Sequence, residues 1–180
     1  MILLTTSRRP TNQIRTLCRD LSHAIPRLTR VNRGKMGLYE LGEEAVNIGA
    51  NKIIVLDRWK DGFGRIRFLK IGQGIVEVPP SLNIVGVKFR REFGASQKAV
   101  GSIFIDGSGK SEYGIEKLVK NMSDFLELPI INVPEAPSEY GETMRITAGS
   151  SRHIEMRFYA LPKDVEVGPR IVISHVAWQT

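Results

Sequence analysis

Short apolar runs alternate with polar and glycine-rich segments along the chain, in the order expected of strands and helices. A strand-sized run at the N-terminus leads into a stretch whose apolar residues return at i, i+3, i+7 and i+11, the spacing of one helix face: Ile14, Leu17, Leu21 and Ile25. A second short strand follows, and then a helix over 38–50 that ends at Gly49. Two further apolar runs, 52–59 and 65–72, flank a glycine-containing turn and predict a β-hairpin.

The same order of elements returns in the second half of the chain. An offset of 101 residues aligns the first 32 residues with 102–133 without a gap, and the aligned helix again carries an apolar stripe: Ile115, Leu118, Met122 and Leu126. The same offset places the strand at 52–59 on 153–160, and a run at 170–176 completes a second hairpin. The segment 133–149 contains two prolines, so at most a short helix is expected there.

This arrangement predicts a mixed sheet. Strand–helix–strand units bring parallel strands together, whereas hairpins add antiparallel ones, and strands at 74–78 and 83–93 join the two halves. The predicted class is therefore α/β (an α+β mixed sheet), with internally duplicated β-α-β-(α)-β-β units in a pseudo-two-fold relation. We expect a single domain over 1–180, made of half-repeats 1–85 and 86–180.

Charge distinguishes the two halves more sharply than hydropathy does. The chain has 26 Lys and Arg against 19 Asp and Glu, a net charge of +7. Residues 1–35 alone hold eight of the basic residues and one acid, while the remaining 145 residues are balanced at 18 of each sign. Seven of those eight cations are arginine, the side chain best suited to bidentate phosphate contact. Such a concentrated patch is typical of a nucleic-acid-binding surface.

Other composition signals narrow the class of protein. The longest apolar runs are strand-sized and the N-terminus lacks the features of a signal peptide, so no membrane association is expected and the predicted location is cytoplasmic. Cys18 is the single cysteine and falls on the apolar side of a predicted helix, which indicates packing. The three histidines show no ligand-like spacing, so the sequence predicts neither a metal site nor a cofactor.

Two loops concentrate the basic residues. The first, TTSRRPT at 5–11, connects the first strand to the first helix, where Ser7 or Thr11 can cap and free N–H groups attract phosphate. The second, RVNRGK at 30–35, follows the second strand, and Gly34 can supply a turn with positive φ. Because the ends of neighbouring parallel strands meet at one edge of a sheet, we expect both loops to open onto the same edge.

A glycine-rich loop in the second half raises a different hypothesis. Gly109-Lys110-Ser111 follows a strand and precedes a helix, as in a P-loop that binds ATP or GTP. The first glycine of that motif would fall on Phe104, which belongs to the apolar strand and cannot open a phosphate-binding turn. The loop also occupies the aligned position of TSRRPTN in the first half, so a turn that the fold requires accounts for it.

Several of these segments together resemble one family. The opening TTSRRPT, the RVNRGKM loop before an acidic helix, the hairpin KIIVLDRWKDGFGRIRFLKIG and the late VGPRIVI are similar to the Brix domain, and closest to its short stand-alone archaeal members. The resemblance spans nearly the whole chain. It implies a role in ribosome biogenesis through binding to ribosomal RNA, and a duplicated α/β fold similar to the anticodon-binding domains of class II tRNA synthetases.

The resulting hypothesis is a non-enzymatic protein that binds ribosomal RNA or its precursor and assists RNA processing or subunit assembly, with ribosomal proteins or other assembly factors as further partners. No catalytic residue is assigned. The residues expected to contact RNA, from charge and loop position, are Arg8, Arg9, Arg15, Arg19, Arg30, Asn32, Arg33 and Lys35. Aromatic residues do not occur before Tyr39, so extensive base stacking is not expected in this region.

Other classes of protein also fit parts of the sequence. The same fold would suit a tRNA anticodon-binding module. An NTPase would use Gly109-Lys110-Ser111, and a metal-dependent nuclease would need clustered carboxylates, for which Asp57 and Asp61 are the nearest candidates although they lie outside the predicted basic region. An interaction scaffold would use the apolar segment at 83–89.

Overall fold

The computed structural model describes residues 1–60, 62–95, 99–109 and 113–179. Its helices are α1 (Asn12–Ala24), α2 (Leu38–Asn47) and α3 (Tyr113–Leu126). The strands of the first half are β1 (Ile2–Thr6), β2 (Leu28–Arg30), β3 (Lys52–Asp57), β4 (Gly64–Ile71) and β5 (Ile75–Lys88). The strands of the second half are β6 (Ile103–Asp106), β7 (Ile130–Ile131), β8 (Glu142–Ala148), β9 (Ile154–Ala160), β10 (Val165–Glu166) and β11 (Arg170–Ala177).

The described strands form one 11-stranded mixed sheet in the order β2-β1-β3-β4-β5-β11-β9-β8-β6-β7, with β10 paired to β9. In the first half, β1 is parallel to both β2 and β3, and β3, β4 and β5 then alternate in direction. In the second half, β6 is parallel to both β7 and β8, and β8, β9 and β11 alternate in direction. Antiparallel pairing of β5 with β11 joins the halves. The predicted mixed α/β sheet is confirmed.

The pairing corrects part of the sequence alignment. The predicted match of 52–59 with 153–160 is wrong, because the strand that lies beside β6 as β3 lies beside β1 is β8, at Glu142–Ala148. The second half reaches this strand through a shorter connection, in which the predicted short helix is a single 3₁₀ turn at Val133–Glu135. The two predicted joining strands are one long strand, β5, so the expected boundary between half-repeats, at 85/86, falls inside it.

The two long helices pack on the same face of the sheet. Helix α1 begins after Thr11, whose Oγ1 accepts a hydrogen bond from the backbone N–H of Ile14 at 3.2 Å. The predicted apolar stripes of α1 and α3 both enter one core cluster that extends across both halves. The Phe68 ring of β4 meets the Phe125 ring of α3 edge-on at 4.9 Å between centroids, which couples the halves directly.

Helix α2 covers the opposite face of the first half. Leu41 and Ala45 pack against Leu3 and Ile53, which alternate in direction with the residues that face α1. Within the described ranges, no helix is long and apolar enough to cross a membrane.

A buried ion pair connects the segment after β5 to the start of β8. Arg90, which is 2% exposed, begins a 3₁₀ turn just after β5, and its Nη2 lies 3.1 Å from Glu142 Oε1 at the start of β8. Its Nη1 donates to the carbonyl of Gly168 at 3.1 Å, and its backbone N–H donates to Asp20 Oδ2 in α1 at 2.8 Å. Burial raises the pKa of both Asp20 and Glu142, against the opposing effect of their contacts with Arg90.

This arrangement generates a stability prediction. Glu142→Gln should lower the free energy of unfolding by about 3 kcal/mol, because it leaves the Arg90 charge buried without its carboxylate. Glu77→Gln is the matched control, since it removes one carboxylate from a partly exposed pair with Arg67 and should cost less than about 1 kcal/mol. Urea unfolding of both variants measures the difference, and equal losses would show that the buried pair contributes no more than a surface one.

Candidate nucleic-acid interface

The two basic loops lie side by side at one edge of the sheet. The parallel pairing of β1 with β2 continues beyond the strand end, where the Val31 N–H donates to the Leu4 carbonyl at 2.9 Å. Thr5 Oγ1 also donates to the Val31 carbonyl at 2.7 Å, which fixes the start of the second loop against the first strand. The expectation that both loops open onto the same edge is confirmed.

A cleft of about 350 Å³ separates the two loops and the first turns of α1, and we call it the first cleft. Five of the predicted contact residues line it: Arg8, Arg15, Arg30, Asn32 and Arg33. The first turn of α1 carries no acidic residue that would oppose its positive end. The first cleft therefore combines a helix start with several cationic side chains.

The loop after β2 is shaped by a turn that two arginines support. Gly34 has a φ of +54°, the left-handed conformation that glycine adopts readily, as the sequence indicated. The carbonyl of Met36 accepts hydrogen bonds from Arg33 Nε at 2.8 Å and from Arg8 Nε at 3.3 Å. Arg8 of the first loop thus holds the second loop in place.

Arg33 differs from the other predicted contact residues because it is only 8% exposed. Burial lowers the pKa of its guanidinium, and the nearby positive charge of Arg8 lowers it further, while Asp57 acts in the opposite direction. Arg33 therefore supports the second loop through its hydrogen bond to the Met36 carbonyl. It also adds positive charge next to Arg8, where burial and repulsion make a cation unfavourable.

The remaining predicted contact residues are exposed but are not gathered into the first cleft. Arg9 lines a neighbouring cleft, whereas Arg19 and Lys35 line neither of the two. Arg19 lies one turn beyond Arg15 on α1, and Lys35 lies at the tip of the second loop.

The neighbouring cleft, which we call the second cleft, was not predicted from the sequence. Its volume is about 880 Å³, and it shares Ser7, Arg8 and Arg33 with the first cleft. The β3–β4 hairpin provides most of its other lining residues: Asp57, Arg58, Trp59, Lys60, Arg65 and Arg67. A signal for it was available, because β3 also runs parallel to β1 and must end at the same edge of the sheet.

Asp57 corrects one expectation directly. The sequence placed it outside the basic region, whereas the structure places it in the wall of the second cleft. Its carboxylate pairs with Arg67 and lies 3.5 Å from Arg65 Nη2. Burial opposes the charge of Arg67, but Asp57 and Glu77 outweigh it and raise the Arg67 pKa. Asp57 thus neutralises and orients the arginines of the hairpin.

The other residues considered for enzymatic chemistry give little support to it. Asp61 lies outside the described residues, and within the described ranges no three His, Cys, Asp or Glu side chains could jointly hold a metal ion. Lys110 and Ser111 of the glycine-rich loop also lie outside the described residues. Phe104, at the position where a P-loop needs its first glycine, is a fully buried residue of β6.

The edge of β6 carries more acidic side chains than the edge of β1. A cleft of about 680 Å³ lies there, between the loop after β6 and α3, and its charged lining residues are Asp106, Glu116, Lys120 and Asp124. Burial disfavours the charge of Asp106, but hydrogen bonds from Ser108 and an ion pair with Arg145 outweigh burial and lower its pKa. An anionic carboxylate therefore occupies the start of the loop that the P-loop hypothesis would assign to phosphate.

The fold and the two clefts together define a mixed α/β protein with an arginine-rich surface at one sheet edge. A probable Brix domain-containing ribosomal biogenesis protein from Methanopyrus kandleri is 30% identical over 181 residues, which cover 93% of this chain and 90% of the relative. The chain therefore belongs to the Brix domain-containing ribosomal biogenesis proteins, and the resemblance found in the sequence is confirmed. No family model matches it.

Solved structures agree with this assignment. A probable ribosomal biogenesis protein from Aeropyrum pernix K1 has a TM-score of 0.78 and 26% identity, covering 96% of this chain and 94% of that one. Mil, an archaeal Imp4-like protein, has a TM-score of 0.70 and 18% identity over 99% of this chain and all of its own, which shows a shared fold.

The burial of Arg33 separates it experimentally from its neighbour Lys35. Arg33→Ala should lower the free energy of unfolding by about 1–2 kcal/mol, because it removes packed stem atoms and a charge-assisted hydrogen bond to the Met36 carbonyl. Lys35→Ala, two residues away and exposed, should change it by less than about 0.5 kcal/mol. Thermal or urea unfolding tests this, and indistinguishable variants would contradict the structural role of Arg33.

Cys18 provides a chemical test of the packing beneath the first cleft. Its side chain is 2% exposed, and burial raises the thiol pKa to about 12, with only partial opposition from Arg30. At pH 8 the folded protein should react with iodoacetamide at least about a hundredfold more slowly than the urea-unfolded protein. Similar rates in the two states would show that α1 does not cover the thiol as the structure indicates.

Proposed function

We propose that this protein is a non-enzymatic ribosome biogenesis factor that binds ribosomal RNA or its precursor through the first and second clefts. The observation that carries the proposal is the convergence of three loops, after β1, β2 and β3, on one sheet edge rich in arginine. Membership of the Brix domain-containing ribosomal biogenesis proteins gives the biological setting. Ribosomal proteins or other assembly factors are further partners in this proposal.

The contrast between the two sheet edges supports a specific role for the charge. Under the 101-residue offset, Arg8 and Arg15 correspond to Gly109 and Glu116, whereas Arg9 and Arg19 correspond to Lys110 and Lys120, so part of the positive charge differs between the two edges. Solubility depends on the net charge of a protein, so it does not require that the cations lie at one edge of the sheet. A cation excess at one edge is typical of a surface that meets the nucleic-acid backbone.

Electrostatics within the clefts favour an anionic ligand. Arg33 is held beside Arg8 and near Arg67, and its lowered pKa records burial and the repulsion between these charges. A phosphate group placed among them would relieve that repulsion and replace the solvent that burial removes. Exposed side chains then provide the direct contacts: Arg8, Arg9, Arg15, Arg19, Arg30, Asn32 and Lys35.

In this proposal the binding energy comes mainly from phosphate neutralisation. Each contacted phosphate releases condensed counterions, so affinity falls steeply as salt increases. The shape of a folded RNA, held by several positive loops at fixed spacing, provides selectivity. We assign no catalytic residue and no cofactor.

The same proposal includes an internal duplication with a pseudo-two-fold relation. Support comes from the roles of the strands, because β1, β2, β3, β4 and β5 have counterparts in β6, β7, β8, β9 and β11 with the same pairing directions. A duplicated α/β unit is also the basis for the inferred similarity to anticodon-binding domains. One copy kept or acquired the RNA-binding charges, and the other supports the sheet.

A double variant tests the proposed surface. Arg9→Ala with Lys35→Ala should weaken binding to a ribosomal RNA fragment and lower the slope of log K against log salt by roughly 1.5, because two phosphate contacts are lost. Both side chains are exposed and neither is needed for folding in the structure. Fluorescence anisotropy across a salt series measures the slope.

The matched control removes two exposed cations from the second half, Lys120→Ala with Lys163→Ala, so that the net charge changes equally. It should leave the slope almost unchanged. The same titrations with tRNA and duplex DNA test preference for ribosomal RNA. Equal slopes for the two double variants would remove the basic loops from the site, and preference for tRNA would favour the anticodon-binding alternative.

A further inference from the structure

Trp59 occupies an unusual place in the second cleft. It lies two residues after the end of β3 and is 37% exposed, although a large aromatic residue is mostly buried on average. It belongs to neither of the two apolar core clusters. Trp178 differs, because it packs against the main core. The fold therefore does not account for the position of Trp59.

One face of the Trp59 ring contacts an arginine side chain. The guanidinium of Arg65 lies over it, with its central carbon 4.7 Å from the ring centroid. Asp57, which also pairs with Arg67, lies 3.5 Å from Arg65 Nη2. The contact of Asp57 with Arg65 and the cation–π contact of Arg65 with Trp59 orient the ring without burying it.

The surroundings of the ring are cationic. Arg8, Arg9, Arg58 and Lys60 line the same cleft of about 880 Å³. Indole rings stack on the faces of unpaired bases, and arginine and lysine bind the phosphates that flank them. Bases inside a duplex already stack on their neighbours and do not offer a free face to such a ring.

We propose that the second cleft is a binding site for unpaired nucleotides, in which Trp59 stacks on an RNA base and the surrounding cations hold the adjacent phosphates. The inference rests on the proposed RNA-binding function and adds a substrate class to it, namely single-stranded segments or loops of RNA. The sequence predicts no extensive base stacking in the basic region, and the proposal adds a single stacking residue to it. The hairpin that follows β3 brings the aromatic residue there.

Affinity measurements provide the first test. Trp59→Leu retains apolar bulk but cannot stack in the same way, and it should weaken binding of a 12-nucleotide single-stranded RNA by roughly tenfold. Binding of a blunt RNA duplex should change by less than about twofold. The salt slope should stay the same for both, because no phosphate contact is lost. Trp59→Phe should restore most of the affinity.

Trp178→Leu is the matched control. Its ring also carries a cation, with Lys117 Nζ at 4.0 Å from the centroid, but it lies outside the second cleft. This variant should bind both RNAs as the parent protein does. Circular dichroism and urea unfolding confirm that each variant is folded before its affinity is compared.

Intrinsic fluorescence provides an independent readout. The chain has two tryptophans, so Trp178→Phe leaves Trp59 as the only indole fluorophore. Titration with the single-stranded RNA should quench this emission at the same concentrations at which anisotropy shows binding, and the duplex should not.

The outcomes separate this inference from the proposed function. Unchanged fluorescence during binding, or an equal loss of single-stranded and duplex affinity in Trp59→Leu, would overturn the stacking site while leaving RNA binding by the basic loops intact. Failure of the parent protein to bind any RNA would overturn both.

Discussion

The buried ion pair between Arg90 and Glu142 is the constraint on which the rest of the structure depends. Through one residue, the segment after β5 contacts α1 at Asp20, β8 at Glu142 and the loop before β11 at Gly168. The carboxylates are disfavoured as anions by burial, so the contacts to Arg90 must offset part of that cost. Asp20 is on the buried side of α1, so this contact and the apolar stripe hold the side of the helix that leaves Arg15 and Arg19 exposed to solvent.

A nearly symmetrical framework therefore carries an asymmetrical surface. Packing needs only the apolar stripes of α1 and α3, which meet in one core and tolerate any polar residue on their outer sides. The loops at the two sheet edges are free to diverge, since they contribute little to that core. Arginine accumulated at the end of β1, while acidic residues accumulated at the end of β6, where Asp106 pairs with Arg145. The residues that stabilise the fold and the residues of the charged clefts therefore occupy different positions within one domain.

Apolar periodicity predicts the elements that local spacing controls, but it does not predict those that depend on a tertiary partner. The helices and the two hairpins followed from apolar spacing, and both basic loops were placed at the correct edge. Strand β8 was missed because it begins with Glu142, a charged residue that is buried only through Arg90, and because prolines precede it. The sequence assigns Trp59 to a hairpin, but its closeness to the basic loops depends on the pairing of β3 with β1. Alignment of the two halves of the sequence gives no information on which strands pair.

The count of basic residues also overstates what a ligand can contact. Arg33 is buried beneath the first cleft, and Arg65 and Arg67 are already paired with carboxylates, so these three act by shaping the potential and the walls. Exposed arginines and Lys35 retain the freedom to meet phosphate. Substitution of Arg65 or Arg67 would also leave Asp57 without that partner, and its negative charge would then repel an anion. The change in affinity would therefore combine the loss of a side chain that lines the cleft with this repulsion. The salt dependence of binding counts phosphate contacts and therefore distinguishes contacting from supporting arginines, which affinity alone does not.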